Sequence, residues 1–282
     1  MKKLFELLIR WPNLLLYYVK VSWSFDFIIR YSLLGMLYIV NALFLGRLER
    51  IINKIHPIFY KTFVFKTKFW TYIGKTVNHR TVLSPDYEPA LKKVIDENYN
   101  KYKDEERIFI DIGAHIWRYA IELTKNYGYF TYSFEPSPET YKILKCNVIL
   151  SDIENKINIF NYALGNQNTE MMFDYNWDND ASSKIIQDIN NESKWIKVPV
   201  RIFDTLNLDL DPQKVKLIIM DVEWFEYQVL QGMSVFFHEA KNLDCIIEIM
   251  DDQKEKKQTI NFMKDIWYQA RKIDDNNYHF WK

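Results

Sequence analysis

Two apolar segments of the chain are each followed by residues that could hold a nucleotide. The segment FIDIG contains Asp111 and ends at Gly113, and a helical pattern follows. A glycine here lets the backbone approach a ligand, and the helix N-terminus offers free N–H groups. The next apolar segment ends in Glu135, 22 residues after Gly113, a spacing that suits a carboxylate binding a ribose diol. Acids that are merely solvated at strand ends would give the same pattern, so both interpretations stay open.

Three carboxylates lie within six residues in the run IIMDVEWFEYQVL, which spans residues 218–230. Asp221 ends an apolar segment, and Glu223 and Glu226 follow it. A carboxylate beside a hydroxyl group can take its proton during a transfer reaction. Acidic residues also favour a helix N-terminus because of the helix dipole. This simpler explanation suits Glu223 and Glu226 better than Asp221.

Short apolar strands alternate with helical stretches from residue 107 onwards. This alternation predicts an α/β fold with a mostly parallel, Rossmann-like sheet and helices on both faces. The turn sequence DDNN at 274–277 predicts that the chain closes with an antiparallel hairpin. Because ligands bind outside the carboxyl ends of parallel strands, the acids above should share one crevice. The main strands are predicted at residues 107–111, 129–135, 157–163, 217–221 and 245–250.

Residues 107–282 resemble the FkbM family of S-adenosylmethionine-dependent methyltransferases. The resemblance implies a class I methyltransferase sheet, S-adenosylmethionine as the cofactor, and methylation of oxygen, often on sugars or glycan-linked products. It implies no metal. It rests on the segments FIDIGAHIW (109–117), YSFEPSPETYKILKCNV (132–148), NYALGN (161–166), VPVRIFDTL (198–206) and IIMDVEWFEYQVLQGM (218–233).

The same resemblance implies roles for two groups of residues. One group would bind the methionine part, the ribose and the adenine of the cofactor. The other would face the site of methyl transfer and either take the acceptor's proton or only orient the reactants. The cofactor group is Asp111, Gly113, Ala114, His115, Glu135, Asn161 and Ala163, and the transfer group is Asp221 and Glu223.

Two tryptophans depart from the family pattern, which has glycine at positions 117 and 224. An indole side chain buries about 150–250 Å². Genuine tryptophans at Trp117 and Trp224 would therefore be expected to plug the crevice. The alternative to an active methyltransferase is then a catalytically inactive binding or scaffold module.

Glycine is scarce in this chain and tryptophan is abundant. There are 7 Gly and 9 Trp in 282 residues, whereas average usage of about 7% predicts about 20 glycines. Trp177, Trp195 and Trp267 also fall where glycine is ordinary: a polar turn, a loop before a strand and a helix end. Some bacteria read the codon UGA as glycine, and translating such a gene with UGA as tryptophan would give this pattern. Genuine tryptophans in an aromatic-rich chain with 19 Phe and 19 Tyr are the alternative.

Residues 1–72 form a basic, apolar front with 11 basic and three acidic side chains. Its pattern predicts helices, and residues 73–106 read as a connecting helical segment. The uncharged run at 31–46 is 16 residues long, shorter than the about 20 that a spanning helix needs. Two interpretations stay open: helices lying on an anionic membrane surface, or a helical subdomain packed on protein.

The charge and the cysteine content of the chain limit its expected binding partners and its expected cellular compartment. Residues 73–282 carry a net charge of −8, which disfavours nucleic acid, and the basic front contains no recognisable nucleic-acid module. Cys146 and Cys245 lie in apolar runs typical of reduced thiols. We therefore expect a cytoplasmic protein, peripheral at the inner membrane face if the front binds lipid. Its expected partner is a small-molecule or glycan acceptor.

Overall fold

The structure is a computed structural model that describes residues 88–116, 118–174, 183–186, 195–250 and 253–282, together with two strands at 63–66 and 71–74. Contacts divide the chain into two units, Met1–Tyr87 and Glu88–Lys282. Among the described residues, no helix combines the length and apolarity needed to cross a membrane.

In the first unit, strands β1 (Phe63–Lys66) and β2 (Thr71–Gly74) pair antiparallel and form a sheet of their own. The prediction of helix through residue 72 is therefore wrong for these residues. Their sequences, FVFK and TYIG, are rich in aromatic and β-branched residues that favour strands. The rest of the basic front lies outside the described residues, so its helices and membrane contact stay predictions.

The second unit alternates strands and helices. Its helices are α1 (Pro89–Tyr102), α2 (Arg118–Asn126), α3 (Pro138–Leu150), α4 (Glu226–Gln231), α5 (Ser234–Glu239) and α6 (Gln253–Asp265). Its strands are β3 (Ile108–Ile112), β4 (Phe130–Phe134), β5 (Ile157–Phe160), β6 (Ala163–Leu164), β7 (Thr169–Asp174), β8 (Lys184–Ile186), β9 (Trp195–Arg201), β10 (Val215–Met220), β11 (Asp244–Glu248), β12 (Gln269–Lys272) and β13 (Asn277–Trp281).

The main sheet has seven strands in the order β12-β13-β11-β10-β3-β4-β5. The five strands from β11 to β5 are parallel, and β13 pairs antiparallel with both β11 and β12. This confirms the predicted fold class, a Rossmann-like class I methyltransferase sheet with an antiparallel C-terminal hairpin. Every residue of β3 and of β10 is buried, which is why both strands are mostly apolar in sequence and are interrupted only by Asp111 and Lys216.

Helices pack on both faces of the central strands, as the alternating pattern predicted. On one face, Ile110 and Ile218 belong to a core that includes Val229 of α4 and Phe237 of α5. On the other face, Phe109 and Leu217 join a core built with helices α1 and α2. Successive residues of a strand point to opposite faces, so each strand contributes to both cores.

A second, four-stranded sheet in the order β6-β9-β7-β8 follows β5. The predicted strand at 157–163 is therefore wrong in its extent, because the chain leaves the main sheet after Phe160. Asn161 explains the departure: its side-chain amide donates hydrogen bonds to the carbonyls of Glu135 (2.9 Å) and Pro136 (3.1 Å). The chain then enters the second sheet at Ala163, which lies opposite Val200.

A buried polar network ties α1 to the amino ends of the strands, opposite the predicted crevice. The Asn98 amide donates to Asp244 Oδ2 (2.6 Å) and to the carbonyl of Lys216 (2.8 Å). Its own oxygen accepts a hydrogen bond from the Tyr129 hydroxyl (2.6 Å). Asp244 Oδ1 lies 2.7 Å from His279 Nε2. Asn98 thus connects the helix to three separate segments of the sheet.

We expect Asn98→Ala to lower the free energy of unfolding by about 1–3 kcal/mol, because it removes the hydrogen-bond partner of the buried Asp244 Oδ2 and of the Tyr129 hydroxyl. Urea denaturation measures this change. Lys93→Ala, at an exposed position of the same helix, is the matched control. Equal stability of the two variants would show that water replaces the lost hydrogen bonds.

Candidate active site

The carboxyl ends of β3, β4 and β10 meet at one edge of the main sheet. The Gly113 N–H donates to the carbonyl of Phe134 (3.0 Å), and the Asp221 N–H donates to the carbonyl of Ile112 (2.9 Å). Gly113 has a φ of 86°, and a Cβ placed on it would lie 1.8 Å from the Asp221 carbonyl oxygen. The glycine is therefore required by the approach of two strand ends, a different reason from the ligand contact that the sequence suggested.

Glu135, at the end of β4, forms hydrogen bonds with the turn that follows β3 and with the start of α3. Its Oε2 accepts the N–H of His115 (2.9 Å), and its Oε1 accepts the N–H of Ser137 (2.8 Å). Glu135 is only 6% exposed, and His115 has a left-handed φ of 52°. A carboxylate has about four acceptor positions, and two of those of Glu135 accept backbone N–H groups.

Asp111 is a buried carboxylate whose Oδ2 has no hydrogen-bond partner among the described residues. Burial raises the pKa of Asp111 to about 8, a backbone hydrogen bond from Ala120 opposes the rise, and the charge of Glu135 adds to it. An unsatisfied buried acceptor destabilises a fold by about 1–3 kcal/mol. Such a group calls for an explanation, and a bound cation or hydrogen-bond donor would provide one.

Acidic side chains crowd around Asp221. The pKa of Asp221 lies well above its ordinary value, because burial and the repulsion from Glu248, Glu223 and Glu226 disfavour the charged form. Water still reaches Asp221, so we attribute more of the rise to the neighbouring charges than to burial. In the described part of the chain, these acids do not form a group arranged to hold a metal ion.

The sequence-family model of the methyltransferase FkbM domain matches residues 111–279, more than half of the chain. This chain belongs to the FkbM methyltransferase family. No curated protein matches it.

Solved methyltransferase structures are similar to the FkbM chain only at low identity. Precorrin-6y C5,15-methyltransferase from Geobacter metallireducens has 9% identity and a TM-score of 0.40, covering 67% of this chain and 85% of its own. The N-terminal domain of human METTL16, in complex with SAH, has 12% identity and a TM-score of 0.43, covering 73% and 78%. TYW2 of M. jannaschii, in complex with AdoMet, has 13% identity and a TM-score of 0.38, covering 78% and 84%. These scores carry no conclusion about the reaction.

Of the remaining predicted cofactor residues of the FkbM domain, two contact the chain at the end of β4 and one begins β6. The Ala114 N–H donates to the Phe134 carbonyl (3.1 Å), beside the bond from Gly113. Asn161 lies next to Glu135, with its amide nitrogen engaged by two backbone carbonyls. Ala163 is buried in β6. Their contacts with a cofactor stay predictions.

Two acids near Asp221 were missed by the sequence interpretation. Glu248 ends β11, so the rule that found Glu135 and Asp221 could have found it. Glu88 immediately precedes α1, and its charge adds to the repulsion on Asp221. The Tyr119 hydroxyl donates a hydrogen bond to Glu88. Nothing in the local sequence marks Glu88, because only the packing of α1 brings it here.

Trp224 lies beside the acids of the FkbM domain, whereas Trp117 and Trp177 lie outside the described residues. The Trp224 N–H donates to Glu226 Oε1 (3.2 Å), and Lys184 Nζ lies 5.7 Å from the centre of its ring. Trp224 is half-buried, and the plugging of the crevice by its indole stays a prediction.

The loop position predicted for Trp195 is wrong. Trp195 is the first residue of β9 and lies opposite Asp174 of β7. Its large aromatic side chain favours a strand.

Proposed function

We propose that this FkbM protein is an S-adenosylmethionine-dependent methyltransferase acting on a hydroxyl group of a sugar, glycan or other small molecule. The observation that carries the proposal is the unpartnered, buried carboxylate of Asp111 beside Glu135, at the carboxyl edge of the family's sheet. S-adenosylmethionine supplies an activated methyl group on a positively charged sulfur. A cationic molecule that bears a diol suits Asp111 and Glu135, because their carboxylates provide hydrogen-bond acceptors and negative charge.

The residues divide the work of binding. The Asp111–His115 turn would hold the methionine part, where the free Oδ2 of Asp111 supplies an acceptor for a charged donor. Glu135, whose carboxylate accepts two backbone N–H groups, would also accept the ribose hydroxyl protons. Asn161 and Ala163 would border the adenine.

The carboxylates after β10 would contact the hydroxyl group that accepts the methyl group. A general base works best when its pKa lies near the operating pH, and the pKa of Asp221 is raised toward that range. Burial and the charge of Glu248 raise the pKa of Glu223, and Lys184 opposes the rise. A crevice rich in carboxylates repels anionic acceptors, which favours a neutral hydroxyl such as that of a sugar.

We expect Glu135→Gln to weaken S-adenosylmethionine binding by about 1–3 kcal/mol, since an amide replaces a charged acceptor. Isothermal titration calorimetry measures the affinity. Glu139→Gln is the matched control, because Glu139 is an exposed carboxylate near the start of α3 and pairs with exposed Lys142 (2.8 Å). If both variants bind as the unchanged chain does, Glu135 has no part in the cofactor site.

A cofactor-free scaffold module is the second candidate, favoured by a tryptophan at position 224, between Glu223 and Glu226 in the turn after β10. Titration of the purified chain and of its Trp224→Gly variant separates the two. Absence of S-adenosylmethionine binding in both, with intact folds, would make the scaffold function the better one.

A further inference from the structure

Two tryptophans adopt a backbone conformation that differs from that of the other left-handed residues. Among the described residues, seven non-glycine residues have positive φ, and five of these lie at 50–55°. Trp224 and Trp267 lie at 77° and 73°, in the range of Gly128 and Gly113 at 71° and 86°. L-residues that enter the left-handed region cluster near 57°, and a bulky residue there is an outlier. The backbone at both tryptophans is therefore glycine-like.

Trp267 occupies the glycine position of a helix C-cap. The N–H of Tyr268 donates to the carbonyl of Met263, and the N–H of Trp267 donates to the carbonyl of Lys264, both at 3.0 Å. These two bonds after α6 define a Schellman motif, whose left-handed residue is usually glycine. Trp267 is 81% exposed, so packing of the indole cannot offset the strained backbone.

Trp224 follows a second left-handed residue directly. Glu223 has a φ of 53° and Trp224 a φ of 77°, so two side chains crowd one tight turn between β10 and α4. The indole is half-buried beside Lys184. Glycine would remove this crowding, because it has no Cβ and reaches positive φ without cost.

Trp281, by contrast, lies where a large aromatic residue is ordinary. Trp281 lies in β13 opposite Asp244 and Gln269. Its ring centre lies 5.0 Å from that of His279 and 5.6 Å from the Arg271 guanidinium carbon. Among the tryptophans that the structure describes, the glycine-like backbone is confined to Trp224 and Trp267, which a general preference for aromatic residues does not explain.

From these observations we infer that the protein made in its own cell carries glycine at positions 224 and 267, encoded by UGA. The inference accounts for the strained backbone, for the exposed indole and for a chain with 9 Trp and 7 Gly. Glycine at 224 would also remove the indole from beside Glu223 and Lys184 and widen the approach to Asp221. Only this last consequence rests on the proposed function.

The direct test reads the codons and the peptides of the native protein. We expect UGA at codons 224 and 267, UGG at codon 281, and tandem mass spectra showing glycine, glycine and tryptophan at these positions. UGG at codons 224 and 267, or tryptophan in both peptides, would overturn the inference.

Thermal unfolding of the full-length chain provides a second test that needs no activity. Trp224→Gly and Trp267→Gly should each raise Tm by roughly 2–4 °C, the shift that about 1 kcal/mol gives in a domain of this size. Trp281→Gly is the matched control and should lower Tm, because it removes strand packing. If all three substitutions lower Tm alike, the tryptophans at 224 and 267 are native and the inference fails. S-adenosylmethionine titration of the same variants tests the proposed function separately.

Discussion

Asp221→Asn is expected to lower the rate of methyl transfer by about 10²–10⁴-fold, the usual contribution of a positioned general base. Asp221 stands at the carboxyl end of β10, accessible to solvent and surrounded by Glu223, Glu226 and Glu248. An amide cannot take the proton of a hydroxyl acceptor, yet it keeps the size of the side chain. The loss should therefore appear in kcat, with S-adenosylmethionine affinity little changed.

The measurement is formation of S-adenosylhomocysteine with a panel of sugars and glycosides as acceptors. Because the base acts when ionised, the rate should rise with pH above the ordinary aspartate pKa of 3.8. Asp221→Asn should remove that rise. Asp209→Asn, at an exposed position, is the matched control. A full rate in Asp221→Asn with a collapse in Glu223→Gln would transfer the role to Glu223, and full rates in both would exclude a carboxylate base here.

Asp111→Asn should stabilise the apo protein at about pH 8 and weaken its cofactor binding. Burial, with Glu135 nearby, raises the pKa of Asp111 from 3.8 to about 8. Between these values the folded state holds a proton that the unfolded chain has released. Stability from this group is therefore greatest below about pH 4 and is lost as the pH rises toward about 8. An uncharged amide removes that dependence.

We expect the gain at about pH 8 to be about 1–3 kcal/mol, measured by urea denaturation across this pH range. Burial also raises the pKa of Glu226 to about 8. The wild-type decline in stability should accordingly shrink in the variant and not vanish. Asp265→Asn, at an exposed position of α6, should leave the profile unchanged. Equal pH profiles in Asp111→Asn and wild type would mean that Asp111 is ionised and satisfied in the folded protein.

In Asp111→Asn the expected gain in stability and the expected loss of cofactor affinity together distinguish a binding role for Asp111 from a structural one. A residue retained only for packing should lose stability when replaced, whereas Asp111 should gain it and lose affinity for S-adenosylmethionine. That combination is the signature of a buried acceptor kept for a ligand, since its unpartnered oxygen destabilises the apo fold.

Local sequence was sufficient for the main sheet of this protein. The strands β3 and β10 are buried along their whole length, so their mostly apolar sequences predicted both their type and their parallel pairing. The closing turn held as predicted, because Asp274 Oδ1 accepts the N–H groups of Asn276 (3.1 Å) and Asn277 (2.8 Å). Acids at strand ends pointed to Glu135 and Asp221, since the carboxyl ends of parallel strands share one edge.

Contacts between segments that are distant in sequence determine the features of the fold and the candidate site that the sequence did not predict. Gly113 needs its small size because Asp221, more than 100 residues away, brings its carbonyl against it. Glu88 joins the acids through the packing of α1, and Asn161 redirects the chain by bonding to carbonyls 25 and 26 residues earlier. Periodicity reports only which face of an element is buried. Which strand end meets which side chain, and which tryptophan must adopt a glycine's backbone, follows from the assembled tertiary structure.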